Sequence, residues 1–170
     1  MSAAFSMHDD PNFSKHYRDA MAHYAGHVQI VTTAHGGVLR GVTATAACSV
    51  SDAPPTVLAC VNRMNEHNAI FEESGNFALN TLAAHHRPLA DAFAGFTGLS
   101  AEERFAMAEW EVEASGAPVL ADALASFDCR LVEAKAMTTH WILIGEVVSV
   151  KMSAPGEALL YYRRGYHYLS

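Results

Sequence analysis

Three predicted β-strands follow one another between residues 27 and 62, with no helix between them. The first is rich in β-branched residues, and the adjacent Gly36 and Gly37 are typical of a hairpin turn into the second. Pro54 and Pro55 interrupt the pattern, and TVLACVN (56–62) is a third strand, almost entirely apolar, as expected inside a sheet. A doubly wound parallel sheet needs a helix between successive strands, so this run favours an antiparallel sheet.

Short helices with capping signals are predicted around these strands. Ser14 and Asn65 are expected N-caps, and Ser100 with Glu103 forms a capping-box pattern. The predicted helices cover residues 12–25, 65–75 and 87–96 and a segment from residue 100, and further strands are expected over 76–82, 110–114, 140–152, 158–162 and 165–169. The sequence therefore predicts a mainly β protein with inserted helices, arranged as a closed or nearly closed antiparallel barrel whose openings the helices cover.

The composition excludes several classes of protein. Hydrophobic residues make up 51% of the 170, which excludes intrinsic disorder and favours a single domain over residues 1–170, with a flexible tail at 1–11. The net charge of −7 argues against nucleic-acid binding, which normally needs a basic excess. No apolar run reaches the roughly 20 residues of a membrane span, and the N-terminus lacks a signal-peptide core. We therefore expect a cytoplasmic protein with no membrane partner.

The spacing of cysteine and histidine predicts no metal site. Cys48, Cys60 and Cys129 are far apart and form no C-x-x-C pair, so neither a disulfide framework nor a structural zinc site is expected. Each lies in an apolar stretch, as a small buried residue would. The ten histidines contain no H-E-x-x-H pattern.

The stretch GVTATAACSVSDAPP (41–55) is the first candidate site, because small residues alternate there with hydroxyls. Small side chains let a flat ligand approach the backbone, whereas a tightly packed strand crossing would also select alanine and glycine. A second cluster, residues 62–68, combines Arg63 with three asparagines at a predicted helix start, which suits either a phosphate or an ordinary capped helix. NTLAAHHRP (80–88) and His140 are further polar clusters at strand ends. No nucleophile–base pair is suggested, which favours chemistry delegated to a cofactor.

Many short segments occur here in the order typical of one known family. They are YRDAM (17–21), VQIVTT (28–33), GVTATAACSVSDAPPTVLACVNR (41–63), FALNTL (77–82), LADAFAG (89–95), EERF (102–105), ALASFDCRL (123–131), THWILIGEV (139–147) and LLYYRRGYH (159–167). The chain resembles the flavin reductase-like proteins with the FMN-binding split-barrel fold. It is most similar to the reductase components of 4-hydroxyphenylacetate 3-monooxygenase and of pyrimidine monooxygenase, and is also close to cob(II)yrinic acid a,c-diamide reductase.

The resemblance implies a homodimer with FMN or FAD in a groove at the subunit interface. NADH is the implied hydride donor, and NADPH is left open. The residues implied to hold the isoalloxazine and ribityl chain are Thr43, Ala44, Thr45, Ala46, Ala47, Ser49 and Val50. Asn62, Arg63 and Asn65 would meet the phosphate, while Asn80, Thr81 and Leu82 would border the flavin. His140 matches the family histidine beside the nicotinamide, and is the implied catalytic residue.

The implied function is NAD(P)H-dependent reduction of FMN or FAD, which supplies reduced flavin to a partner monooxygenase. Two alternatives are a flavin-dependent reductase of a corrinoid and a flavin-binding electron carrier without enzymatic activity. NADH consumption with free flavin alone distinguishes the first from the other two.

Overall fold

The computed structural model describes residues 4, 6–8 and 10–170, and a seven-stranded sheet organises them. The strands are β1 (Gly26–His27), β2 (Gln29–His35), β3 (Val38–Ala44), β4 (Ala47–Asp52), β5 (Pro55–Asn62), β6 (Asn76–Thr81), β7 (Trp110–Val112), β8 (Pro118–Leu120), β9 (Ala125–Ala136), β10 (His140–Met152), β11 (Ala158–Tyr162) and β12 (Gly165–Leu169). The α-helices are α1 (Phe13–Met21), α2 (Ile70–Glu73), α3 (Arg87–Phe93) and α4 (Ala101–Phe105), and 3-10 turns occur at Glu66–Asn68 and Ala84–His86. The prediction of a mainly β protein with inserted helices is confirmed.

The main sheet has the strand order β3-β2-β6-β9-β10-β5-β4, and all neighbours are antiparallel. A smaller sheet has the order β1-β11-β12, and β7 pairs with β8. The predicted hairpin is confirmed, since β2 and β3 pair across Gly36 and Gly37, whose φ angles are +57° and +79°. Glycine adopts such angles without steric cost, which is why this pair makes so tight a turn.

The two outer strands of the main sheet, β3 and β4, follow one another in the chain. β3 ends at Ala44 and β4 begins at Ala47, so only Thr45 and Ala46 join the two edges. This link spans at most about 11 Å when extended, whereas the edges of a flat seven-stranded sheet lie roughly 29 Å apart. The sheet is therefore curled until its edges meet at residues 45–46, which we call the corner.

The curled sheet separates the two larger hydrophobic cores of the described residues, and a third cluster contains only Ala78, Ala117 and Val119. Ile30 and Val31 are adjacent on β2, and because side chains alternate along a strand they belong to different cores. One core joins the sheet to α3, α4 and β11; its members are Val28, Ile30, Leu82, Leu89, Ala90, Phe93, Phe105, Leu120, Ala123 and Leu159. The other lies among strands and α2; its members are Val31, Val57, Ala59, Val61, Phe71, Phe77, Leu79, Cys129 and Leu143.

Glycines permit close packing at two points of this arrangement. A Cβ at Gly41 would lie 2.5 Å from the Phe93 ring, so α3 packs onto β3 only because that side chain is missing. A Cβ at Gly26 would lie 2.9 Å from Cβ of Thr45, so the start of β1 passes directly against the corner. The structure thus fixes the corner between the main sheet and the smaller one.

Several predicted element boundaries change in the structure. The first helix covers residues 13–21 rather than 12–25, and Asn12 rather than Ser14 occupies its N-cap position. The helix ends at Met21 because hydrogen bonds of the 3-10 type from His23 and Tyr24 tighten the chain there. The predicted helix over 65–75 is two short pieces, Glu66–Asn68 and α2. The strand β8 was not predicted, because three apolar residues are too few to show alternation.

Two of the three capping predictions are confirmed, and the third, Ser14, is wrong. Oγ of Ser100 accepts a hydrogen bond from N–H of Glu103, and Oε2 of Glu103 accepts one from N–H of Ser100, which confirms the capping box of α4. Oδ1 of Asn65 accepts from N–H of His67, which confirms that N-cap as well.

The predicted flexible tail, residues 1–11, lies partly outside the described residues. In its described part, Oδ2 of Asp10 lies 3.0 Å from Nε2 of His16.

The prediction that the cysteines are buried is wrong for Cys48, which is exposed on the outer strand β4. Cys129 is buried, and burial raises the pKa of its thiol to about 12. None of the helices in the described part of the chain combines the length and hydropathy needed to cross a membrane.

Candidate functional site

A cavity of about 560 Å³ lies beside the corner, and we call it the corner cavity. Its walls come from β3, β5, the turn that follows β5, the end of α3, one side chain of α4 and the start of β10. The lining residues are Arg40, Val42, Thr43, Ala44, Thr45, Ala46, Cys60, Val61, Asn62, Asn65, His67, Asn68, Phe93, Ala94, Gly95, Arg104 and His140. Seven residues predicted for the flavin site are thus brought together: Thr43, Ala44, Thr45, Ala46, Asn62, Asn65 and His140.

One wall consists of the small residues 43–46. Oγ1 of Thr43 donates to the carbonyl of Ala90, 2.7 Å away, and so ties this wall to α3. The side chains of Ala44 and Ala46 are single methyl groups, which leave the backbone accessible to a planar group. Both interpretations of this stretch apply at once, since its β3 end packs tightly and its corner end faces the cavity.

The side chain of Asn68 connects two other walls of the corner cavity. Asn68 is buried, and its Oδ1 accepts a hydrogen bond of 2.8 Å from Nε of Arg40. Its Nδ2 donates to the carbonyl of Asn62 at 2.6 Å. Asn68 therefore holds the end of β5 against β3 and fixes the direction of the Arg40 side chain.

Two guanidinium groups, those of Arg40 and Arg104, line the corner cavity together. Nε of Arg104 donates to the carbonyl of Leu99 at 2.9 Å, and the capping box fixes the start of the same helix. Burial, together with the positive charge of Arg104, lowers the pKa of Arg40 below its ordinary value. None of the described residues lining the cavity is acidic. An anion there would relieve the repulsion between the two guanidiniums, so the pair is suited to bind one.

His140 is the first residue of β10 and pairs in register with Asn62. Its Nδ1 lies 2.8 Å from Oγ1 of Thr139, so one ring nitrogen has a local partner. The side chain is exposed at the rim of the corner cavity, where it can contact a ligand that enters from solvent.

The structure places Arg63 outside the corner cavity. Its Nη1 donates to the carbonyl of Met137 at 2.9 Å, and its guanidinium lies 4.8 Å from the centre of the Trp141 ring. Ala47, Ser49 and Val50 lie on β4 beyond the corner and do not line the cavity either.

Residues 80–82 are also separate from the corner cavity. Asn80 is fully buried; its Nδ2 donates to the carbonyl of Ile30 and its Oδ1 accepts from N–H of Leu120. Oγ1 of Thr81 donates to the carbonyl of Ala125 at 2.7 Å, and Leu82 belongs to the core beneath α3. β6 lies between β2 and β9 in the main sheet. Residues 80–82 at its end do not line the cavity.

Sequence reasoning missed Arg40 and Arg104, whereas Asn68 belonged to the predicted cluster at residues 62–68. A single arginine in the otherwise apolar and small-residue strand VLRGVTA was the available signal for Arg40. For Arg104 the capping box was recognised, but the position of its helix relative to β3 is not encoded in any local pattern.

A second polar cluster joins His85, His86 and Asp122, whose ligand atoms lie within 4.8 Å of one another. N–H of Ala83 donates to Nδ1 of His86, so the neutral ring carries its proton on Nε2. Nε2 of His86 then donates to Oδ1 of Asp122 at 3.0 Å. With both ring nitrogens engaged in this way, His86 has no lone pair free for a metal ion.

Comparison with known proteins identifies the family. The profile of the flavin reductase like domain matches residues 21–170. The chain belongs to this family. An FMN reductase (NADH), RutF, of Agrobacterium fabrum is 50% identical over 153 residues, which cover 90% of this chain and 87% of the relative. The 4-hydroxyphenylacetate 3-monooxygenase reductase component of Pseudomonas aeruginosa is 38% identical over 153 residues, 90% of either chain.

A solved structure of a flavin reductase relative shows the same fold. The NADH:FAD oxidoreductase SgcE6 of Streptomyces globisporus, in complex with NAD and FAD fragments, has a TM-score of 0.84 at 26% identity. The match covers 99% of this chain and 98% of that one. The family predicted from the sequence motifs is confirmed.

Proposed function

We propose that this flavin reductase family member transfers a hydride from NADH to FMN or FAD, and that the corner cavity holds the flavin. The observation that supports this most strongly is the composition of the corner cavity, in which a guanidinium pair and a small-residue wall line the same space. FMN has a complementary group for each: a flat ring system for the small-residue wall and a phosphate for the guanidinium pair. The names of the relatives, FMN reductase (NADH) and monooxygenase reductase component, support the same activity.

The cavity residues favour an orientation of FMN with its ring along the small-residue wall and its phosphate at the guanidinium pair. The isoalloxazine would lie along residues 43–46, where methyl groups and backbone leave room for it. Its phosphate would lie between Arg40 and Arg104, whose repulsion it would relieve. The amides of Asn62 and Asn65 also line the cavity and would contact the ribityl hydroxyls.

Bound flavin supplies the hydride acceptor, and the protein supplies position. The small-residue wall holds the ring, and its backbone and hydroxyl groups would stabilise added charge through hydrogen bonds. His140 at the rim would orient the nicotinamide, because the ring of the donor must lie against the open face of the flavin.

We further propose that the curled sheet is a split barrel, that one domain covers residues 1–170, and that the protein is a homodimer. The two-residue corner supports the split barrel, because it brings the sheet edges together without a hydrogen-bonded ladder between β3 and β4. A monooxygenase would receive the reduced flavin, as the name of the Pseudomonas relative indicates for that protein. Sedimentation equilibrium tests the dimer: a single-chain mass at micromolar concentration would contradict it.

Steady-state NADH oxidation by the purified protein tests the activity. We expect oxidation with free FMN or FAD and no other protein present. A rate that depends on an added corrinoid would instead support the corrinoid reductase, and tight flavin binding without NADH oxidation would support an electron carrier. NADPH in parallel assays determines the donor preference.

A further inference from the structure

The concave side of the curled sheet contains a cavity of about 310 Å³, which we call the concave cavity. Val31 on β2 and Val57 on β5 share one core although three strands separate β2 from β5 in the sheet, so this core fills the concave side. Val57 and Leu79 of that core line the cavity, together with residues of β2, β4, β9 and β10. None of the described residues that line it also lines the corner cavity. The two cavities are therefore separate sites.

The walls of the concave cavity are mainly apolar. Phe127 on β9 pairs in register with Leu79 on one side and with Val150 on the other, so these side chains stand together on one face. Val57 and Val147 complete the apolar lining. Val150 is half-exposed, which places it at the open side of the cavity. An apolar cavity of roughly 150 Å³ is enough to hold benzene, so this one has room for a single aromatic ring.

One buried polar side chain lines the same space. Gln29 lies on β2 two positions before Val31, so its side chain stands on the same, concave face. The residue is 7% exposed, and its Oε1 is buried and accepts no hydrogen bond from any described residue. Every other buried side-chain oxygen or nitrogen in the described part of the chain has a partner. Because a buried polar atom without a partner loses its bonds to water and gains none, a ligand hydroxyl here would be stabilising.

The other polar groups of the lining restrict the charge of the ligand. Oγ1 of Thr81 donates to the carbonyl of Ala125 at 2.7 Å and accepts from its N–H at 2.8 Å, so this hydroxyl is already engaged. Asp52 contributes a carboxylate, and no described lysine, arginine or histidine lines the cavity. Such a lining repels anions, and its apolar walls penalise any charge placed among them. The cavity is therefore suited to an uncharged molecule.

We propose that the concave cavity binds an uncharged single-ring molecule that carries a hydroxyl group, such as a phenol. The ring packs against Phe127 and the valines, and the hydroxyl hydrogen-bonds to the carboxamide of Gln29. The terminal torsion of a glutamine is broad, so either Oε1 or Nε2 can turn toward the cavity, and a hydroxyl can pair with both. This site goes beyond flavin reduction and uses none of the residues that line the corner cavity.

Titration of the full chain with phenol and with toluene, followed by ligand-observed NMR, tests the hydrogen bond. The two molecules have nearly the same shape, and only phenol carries the hydroxyl. Gln29→Met keeps the length of the side chain but removes the carboxamide. We expect this variant to raise the Kd for phenol about fivefold or more. The Kd for toluene should change less than twofold.

Two valines of β10 test the place of binding. Val150 and Val148 are 53% and 43% exposed, but only Val150 lines the concave cavity. Val150→Phe should raise the Kd for phenol and for toluene about tenfold, because the added ring occupies the space of the ligand. Val148→Phe is the matched control and should change both values less than twofold. Urea unfolding of each variant verifies its fold, and the Kd for FMN should stay within twofold in all three.

The outcomes separate this site from the alternatives. Phenol binding that survives Val150→Phe overturns the inference, and so does an equal loss of phenol and toluene binding in Gln29→Met. Absence of binding by both molecules at millimolar concentration also overturns it. If Val150→Phe, but not Val148→Phe, then converts a dimer into single chains in sedimentation, a second copy covers the cavity instead. Phenol binding that depends on Gln29 in a protein without flavin reduction supports the site while contradicting the proposed function.

Discussion

Arg40 on β3 and Arg104 on α4 line one cavity, and each is fixed through its Nε atom. The acceptors are Oδ1 of Asn68 and the carbonyl of Leu99, at 2.8 and 2.9 Å. The terminal Nη nitrogens of both side chains have no hydrogen-bond partner among the described residues and can meet an anion. This arrangement holds two like charges together in the protein and is the basis of the first prediction.

Arg104→Ala should weaken FMN binding without weakening riboflavin binding. Only FMN has the phosphate that the guanidinium pair would contact, and loss of one charge-assisted hydrogen bond costs about 1.5–3 kcal/mol, or at least tenfold in Kd. Fluorescence titration with both flavins measures this. Arg63→Ala is the control, because that side chain lies against Trp141 outside the cavity. Equal losses for FMN and riboflavin would remove Arg104 from the phosphate site.

His140→Ala should raise the KM for NADH or slow hydride transfer, and leave the Kd for flavin nearly unchanged. The reason is its exposed position at the cavity rim. Stopped-flow reduction over a range of NADH concentrations measures the effect. Thr139→Val, which removes only the neighbouring hydroxyl, should have a smaller effect on the same rate. Normal reduction rates at every NADH concentration would show that His140 has no part in the reaction.

Gly41→Ala should reduce both stability and FMN affinity. The added Cβ would meet the Phe93 ring at 2.5 Å, and overpacking of this kind costs about 1–3 kcal/mol of the free energy of unfolding. Phe93 also lines the corner cavity, so its displacement should disturb the ligand. Gly145→Ala is a matched comparison, because its Cβ would meet Phe77 at 2.5 Å away from the cavity. Urea unfolding and FMN titration should therefore show destabilisation in both variants but loss of affinity only in the first.

Stability should decrease as the pH falls below about 6.5, with His86 responsible for part of the loss. Burial lowers the pKa of His86 from 6.5, against the opposing effect of Asp122. The folded protein therefore keeps this ring neutral, and below pH 6.5 protons bind preferentially to the unfolded chain. His86→Gln retains an acceptor for N–H of Ala83 and a donor for Asp122 but does not titrate. Thermal unfolding from pH 7.5 to 5 should show a weaker pH dependence in this variant; identical curves would exclude His86.

The features that could be predicted from the sequence are those with local causes. Gly36 and Gly37 determine a turn between their own strands, and Ser100 with Glu103 satisfies backbone groups of one helix, so neither depends on distant residues. The stretch 41–55, of which residues 43–46 line the corner cavity, was identified for the same reason, since its small and hydroxyl-bearing residues are unusual wherever they lie.

The position of a cation relative to the site could not be predicted in this way. Arg63 follows a strand and precedes a helix, which is a local pattern for phosphate binding, but Trp141 and the carbonyl of Met137, on the neighbouring β10 side, hold it elsewhere. Arg40 and Arg104 are 64 positions apart in the chain and meet only because the sheet curls and α3 and α4 pack on β3. Long-range packing of this kind leaves no periodic signal.

The corner of two residues between β3 and β4 has a consequence for the length of the chain there. Because side chains alternate along both strands, one inserted residue would shift one strand by a single position and turn its inward face outward, or force a bulge. Thr45 and Ala46 line the corner cavity and also a cavity of about 500 Å³ beside α1, so a longer link there would change the walls of both. Natural length variation within the family should therefore accumulate at turns such as Gly36 and Gly37, while the spacing between residues 44 and 47 stays constant.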